Sequence, residues 1–210
     1  MFPVEAVKIL RELAKQKEAG PSPSFTEYHL SKALEIIGGK GPIGRIKLSE
    51  KLKLGKGATR TLIAHLQMAS LVKTSKSGCV LTEKGLAILN ELKSKLLSKV
   101  SVPSSSMTVG THNLGIHVRD AGHKVRYGIE QRDAAVRAGA IGATTTIFRD
   151  GKLFMPPISR TTTEDWPKIV TQLLEIFHPE ENDVIIVCGA DTEERAEDGA
   201  LAAAWTLLEE

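Results

Sequence analysis

Apolar residues recur every three to four positions over residues 3–18, where Val4, Val7, Leu10 and Leu13 are separated by Lys and Glu. This predicts a short amphipathic helix, ended by GPSPS at 20–24. A second helix is predicted over FTEYHLSKALEII, opened by a capping box of Ser24 and Glu27, with Phe25, Leu30, Ala33, Leu34 and Ile37 inward and Gly38 and Gly39 at its end. RIKLSEKLKL predicts a third, with Ile46, Leu48 and Leu52 inward. After GKG, ATRTLIAHLQMA predicts a fourth on Ala58, Leu62 and Leu66. Val72 to Thr74 and Cys79 to Leu81 read as a hairpin turned by SKSG, and Thr82 then caps a last helix to about Lys99 with Leu86, Leu89, Leu92 and Leu96 inward.

The pattern then lapses in SVPSSSMTVG. Residues 1–100 are accordingly expected as one domain, 101–110 as a linker and 111–210 as a second domain. In the second half, HNLGIHVR predicts a strand, YGIEQRDAAVRAGA a helix, and ATTTIFRDGKLFMPP a hairpin turned at Asp150 and Gly151. EDWPKIVTQLLEIF predicts a helix, DVIIVCG a buried strand and TEERAEDGALAAAWTLLEE a closing helix. The order β-α-β-β-α-β-α matches a ferredoxin-like α+β sandwich with one added helix, so the expected class is a two-domain α/β protein.

Composition excludes some classes and divides the chain. With 41% hydrophobic and 25% charged residues among 210, wholesale disorder is excluded. No apolar run approaches a membrane span, no signal peptide is recognised, and two distant cysteines, Cys79 and Cys188, make neither a disulfide framework nor a metal pair. A cytoplasmic location is expected. The net charge of +3 conceals an asymmetry: residues 1–100 hold 18 Lys and Arg against 8 Asp and Glu, and residues 101–210 hold 10 against 17. A basic half suits a polyanionic partner, although surface lysines also simply solubilise helices.

Helix, helix, glycine turn, helix, hairpin, helix is the layout of a winged helix-turn-helix, whose recognition helix enters the major groove by its N-terminal residues. Arg60 and Thr61 are the expected base readers; Ser49, Lys56 and the Gly57 backbone are expected on phosphates; His65 lies deeper in the helix. Lys73, Ser75, Lys76 and Ser77 form the wing tip, which is also what a solvated turn prefers. The segment ATRTLIAHLQMASLVKTSKSGCVLTEKG resembles the recognition helix, wing and following helix of bacterial and archaeal winged-helix transcription regulators, including the MarR-like and diphtheria-toxin-repressor-like groups. The whole chain is similar to archaeal proteins that join this module to a C-terminal α/β domain of unknown function with RDAAVRAGA-type and GKLFMP-type segments. The resemblance implies regulation of transcription, with double-stranded DNA as partner. It brings no ligand, and Cys79 inside a hairpin does not supply the site of an iron-dependent member.

In the second half no GxSxG, Walker loop or HExxH motif occurs, so no catalytic residues, cofactor or metal are expected and the chain is read as a non-enzyme. His112 and His117 on one strand project to opposite faces, against metal binding. Leu114, Ile116 and Val118 are expected beneath a helix, leaving Asn113, His117 and Arg119 on a polar face that either lines a pocket or is simply wet. An anionic or polar effector held by His117, Arg119, Arg126, Arg132, Thr144, Thr145 and Thr146 is the functional expectation. The loop before the last helix is already acidic, with Asp191 and Glu194 as a capping box. Two readings follow. One is a homodimeric regulator whose C-terminal domain senses a small molecule, mediates dimerisation, or does both, with the N-terminal helix or the Leu86 to Leu96 stripe as dimer surface or as core. The other is a self-regulating biosynthetic enzyme carrying a winged module, with His117, Arg132 and Asp133 as its chemistry.

Overall fold

Glu5–Ala14 forms α1, whose Ala6, Val7, Leu10 and Leu13 are buried against α2, Glu27–Lys40, within the first unit. The computed structural model describes residues 5–15, 23–156 and 166–208. Val4, most of GPSPS, Pro157, residues 164–165 and the last two residues lie outside these. The chain divides into two units, Met1–Lys93 and Ser94–Glu210.

The cap of α2 is Thr26 rather than Ser24. Thr26 is extended (φ −117°, ψ 178°), and its N–H and hydroxyl reach Nδ1 of His29 at 3.1 and 2.9 Å. Nor does α2 stop at Gly38 and Gly39; it runs on to Lys40 and closes at Gly41 (φ 69°). Gly38 serves packing instead, because a Cβ there would lie 2.7 Å from Leu89 and 2.9 Å from Leu81. Helices α3 (Arg45–Leu52) and α4 (Lys56–Met68) bury Leu48, Leu52, Leu62 and Leu66 as the spacing predicts. Ile46, expected inward, is 60% exposed.

Strands β1 (Val72–Ser75) and β2 (Gly78–Leu81) pair antiparallel, and Ile43 exchanges both backbone hydrogen bonds with Cys79 at 3.1 and 2.8 Å. Gly78 is required twice over: its φ is 128°, and a Cβ would sit 2.6 Å from the Ile43 carbonyl. Thr82 caps α5 (Glu83–Lys95) by accepting from Gly85 N–H at 3.0 Å, while its hydroxyl donates to Ser70 O at 2.7 Å. The buried side of α5 is Gly85, Ile88, Leu89 and Leu92, so Leu86, expected inward, is half exposed.

Helix α5 ends at Lys95 rather than near Lys99. Leu96–Ser101 is instead a strand, β3, antiparallel to β4 (His112–Val118), with Lys99 opposite Ile116 and Val100 opposite Gly115. Cross-strand pairing overrides a helical spacing of leucines there. Val102 and Met107, in the segment expected as linker, are buried in the core of the second unit. The remaining elements are α6 (Ile129–Arg137), β5 (Gly142–Arg149), β6 (Lys152–Phe154), α7 (Pro167–Phe177), β7 (Val184–Ala190) and α8 (Glu193–Leu208). Asp150 and Gly151 turn the β5–β6 hairpin with φ 47° and 73°. The closing helix is capped by Thr192, which accepts from Arg195 N–H at 3.3 Å, and not by Asp191.

The sheet order is β3-β4-β7-β5-β6, every pair antiparallel. β4-α6-β5 straddles β7, and β6-α7-β7 straddles β5, giving two interlocked split βαβ units. A ferredoxin-like sheet sets the first and third of its four strands side by side; here these are β4 and β6, separated by β7 and β5. The expected ferredoxin-like order is therefore replaced, because β7, buried at every position, takes the centre. On one side of the sheet Ile185 and Val187 pack with Leu173 and Phe177 of α7; on the other, α8 lies over β4 and β7, and α6 contacts β5 and α8.

Candidate nucleic-acid interface

Helix α4 is two-sided. Thr59, Leu62, Ile63 and Leu66 are buried, and Gly57, Arg60, Thr61, Ala64, Gln67 and Met68 are exposed along the opposite stripe. Its start carries no acidic side chain in the first turn, and nothing stands within 4 Å of where a Cβ on Gly55 or Gly57 would be. Beside the stripe runs a groove of about 600 Å³ lined by Arg45, Ile46, Arg60, Ala64, Gln67, Thr74 and Ser75, among others. Its floor includes Cys79, whose thiol is pushed up by burial and drawn partly back by the Arg45 charge. Gln67 Nε2 donates to Thr74 Oγ1 at 3.0 Å, tying the helix to the hairpin.

The expected DNA-contacting residues do not all share this surface. Lys56, Gly57, Arg60 and Thr61 are exposed on α4, and Lys73, Ser75, Lys76 and Ser77 on the hairpin. Ser49 is 8% exposed and its hydroxyl donates to Leu54 O at 2.7 Å, so it shapes the α3–α4 turn and is not presented to phosphate. His65 is half-buried; its Nδ1 lies 2.6 Å from Leu13 O and its ring meets Phe25 edge-on at 5.5 Å. It fastens α4 to α1 and the start of α2. Arg45 and Gln67 line the groove beside this stripe, in addition to the residues singled out from the sequence. The signal for Gln67 was present, since 57, 60, 64 and 67 complete the stripe opposite the buried leucines; Arg45 carried none beyond its charge.

In the second unit the expected effector residues are dispersed. His117 is buried on the α7 side, with Nε2 2.7 Å from Asp183 Oδ2 and its ring against Phe177. Asp183 also accepts from the N–H groups of Asp120 and Glu180 at 2.8 and 2.9 Å. Thr144 Oγ1 donates to Met107 O and Thr146 Oγ1 to Ile185 O, at 3.1 and 3.0 Å. Thr145 is buried, and Asn113 Nδ2 donates to Gly110 O at 2.9 Å. Asn113 and His117 of the polar strand face are thus covered rather than open. Arg119, Arg126 and Arg132 are exposed, Arg132 donating to Asp133 Oδ1 at 2.9 Å. His117 lies on the opposite side of the sheet from α6, so the structure does not bring it together with Arg132 and Asp133. Both cysteines are buried and free, and burial pushes the Cys188 thiol up to about 12. Among the described residues no group of three or more His, Cys, Asp and Glu could hold a metal, and no helix is long and apolar enough to cross a membrane.

Residues 29–96 match the family model described as the CggR N-terminal DNA binding domain, and residues 109–207 match a domain of unknown function, DUF4443. The chain is similar to the solved structure of a hypothetical protein from Pyrococcus horikoshii OT3. They are 28% identical with a TM-score of 0.65, over 85% of this chain and 91% of that one. No curated protein matches the chain. The two family matches support a DNA-binding regulator with a C-terminal domain of unknown function.

Proposed function

We propose that the chain is a transcription regulator that reads duplex DNA with α4 and the β1–β2 hairpin as a winged helix-turn-helix. The observation that carries this reading is the exposed stripe of α4, in which Arg60 stands between the small residues Gly57 and Ala64 beside Gln67. Small neighbours let the helix lie deep in the major groove while Arg60 and Gln67 meet base edges, guanine and adenine being their natural partners. Lys56, the Gly57 N–H, Arg45, Lys73 and Lys76 then hold phosphates. Regulation takes place in the cytoplasm, where the DNA is.

The second unit is the regulatory part, and the protein works as a homodimer. A small-molecule effector acts by binding the DNA-competent and incompetent arrangements with different affinity, since no other ligand shifts the balance. Arg119, Arg126 and Arg132, all exposed, are the expected anion contacts that remain accessible.

The test is titration of labelled operator, selected from random duplexes, against three proteins. Arg60→Ala is expected to weaken binding by about 1–3 kcal/mol and to relax preference at particular bases, whereas Lys76→Ala weakens all sequences alike and lowers the salt slope by about one. Unchanged affinity and preference in Arg60→Ala would place the reading head elsewhere.

A further inference from the structure

Gln67 stands in the last turn of α4 and Thr74 on β1, both exposed, and Gln67 Nε2 donates to Thr74 Oγ1 at 3.0 Å. The acceptor is held on paired backbone rather than at the hairpin tip. Thr74 lies opposite Cys79 in the hairpin, and Cys79 in turn exchanges both backbone hydrogen bonds with Ile43 at 3.1 and 2.8 Å. Among the described residues the Gln67 side chain makes no other hydrogen bond. A primary amide has two N–H donors and one carbonyl acceptor. With one donor taken by Thr74, Gln67 has one N–H and Oε1 left to offer.

That remainder matches one purine and not the other. In the major groove adenine presents an acceptor at N7 and a donor at N6, whereas guanine presents two acceptors, N7 and O6. An unrestrained glutamine amide can turn about its last torsion and serve either, giving both N–H groups to guanine or one N–H and Oε1 to adenine. We propose that Thr74 is the positioning residue that makes Gln67 select adenine over guanine at one base pair of the operator. The inference rests on the reading of α4 as the helix that enters the groove. In water an exposed hydrogen bond of this kind is weak, but a duplex seated on α4 excludes water, and a guanine acceptor left unpaired there costs affinity. Arg60 lies seven residues before Gln67, about 10 Å along the helix, so the two address different base pairs and can be scored separately. Thr74 then acts only through the Gln67 amide.

The full chain is to be titrated against operator duplexes, selected from random sequence, that differ at single base pairs, with circular dichroism melting as the control for folding. Gln67→Ala locates the base pair concerned, as the position where preference is lost. There wild type is expected to bind adenine at least about tenfold more tightly than guanine. Thr74→Val removes the acceptor but keeps the branched shape suited to a strand, and should bring that ratio within about threefold while the preference set by Arg60 stays unchanged. Thr74→Ser keeps a hydroxyl and should keep the wild-type ratio. A Thr74→Val protein with the full adenine preference overturns the inference, as does a Thr74→Ser protein that behaves like Thr74→Val. So does wild type preferring guanine, which would mean that the amide is turned over with Oε1 on Thr74. Weakening by Thr74→Val spread evenly over all base pairs also overturns it, since Thr74 would then only brace the hairpin. Gln67→Ala without effect at any base pair does the same. If Arg60→Ala still alters its own base pair in these cases, the reading of α4 stands and only this inference falls. If neither Arg60→Ala nor Gln67→Ala alters preference anywhere, both fall.

Discussion

At the start of α2, Nδ1 of His29 accepts from Thr26 N–H, which requires a neutral ring. Burial, seconded by the nearby Lys32 charge, lowers the His29 pKa from 6.5 to about 4, keeping the ring neutral. Between those two values the unfolded chain binds the proton more readily than the folded one. Stability is therefore fully present above about pH 6.5 and is lost as the pH falls through about 4, by about 3 kcal/mol in all. Urea midpoints across this range should show a steeper acid loss for wild type than for His29→Gln, whose amide keeps the reciprocal cap without titrating. Parallel slopes would assign the acid sensitivity to other groups. Residue type alone gave little warning of such roles: Ser49, His65 and His117 are all reactive by name, and all three are spent on internal hydrogen bonds. Burial decided that, and burial at single polar positions is not written in a local pattern.

Among the elements, α5 depends on an unusually close approach. A Cβ on Gly85 would lie 2.0 Å from the Leu71 carbonyl oxygen, so the helix seats directly on backbone that also receives the Thr82 hydroxyl at 3.2 Å. Gly85→Ala is expected to cost about 2–3 kcal/mol by pushing α5 away, seen as a lower urea midpoint. A midpoint equal to wild type would show that α5 does not rest so closely on Leu71. The same glycine ends the LTEKG junction, so the approach supplies a physical reason for that motif. Most elements were legible because period 3.6, caps and turn residues agree along the chain, as at Leu62 and Leu66 or Asp150 and Gly151. Where they failed, long-range packing had prevailed: Leu96 continues a helical spacing yet enters β3, and Gly38, which together with Gly39 reads as a stop, serves the approach of Leu81 and Leu89.

For the whole molecule, charge divided along the chain gave the clearest early sign of a polyanionic partner, and the sheet order gave none, since periodicity carries no information on which strands pair. The α4 stripe was partly legible and the scatter of the expected effector residues was not, because a contiguous helix face follows from spacing whereas the grouping of distant residues depends on how segments meet. A two-fold dimer predicts two half-sites centred about 34 Å apart, or a multiple of that distance. Duplexes bearing two half-sites at stepped spacings should bind best at about 10 base pairs and again one turn later, and indifference to spacing would argue for independent monomers. The two-sidedness of α4 has a last consequence. Its scaffold duty rests on Thr59, Leu62, Ile63 and Leu66, none of which the stripe shares. If α4 reads DNA as proposed, operator preference can drift, or be rewritten by a designer, through Arg60, Thr61, Ala64 and Gln67 while the architecture beneath stays as it is.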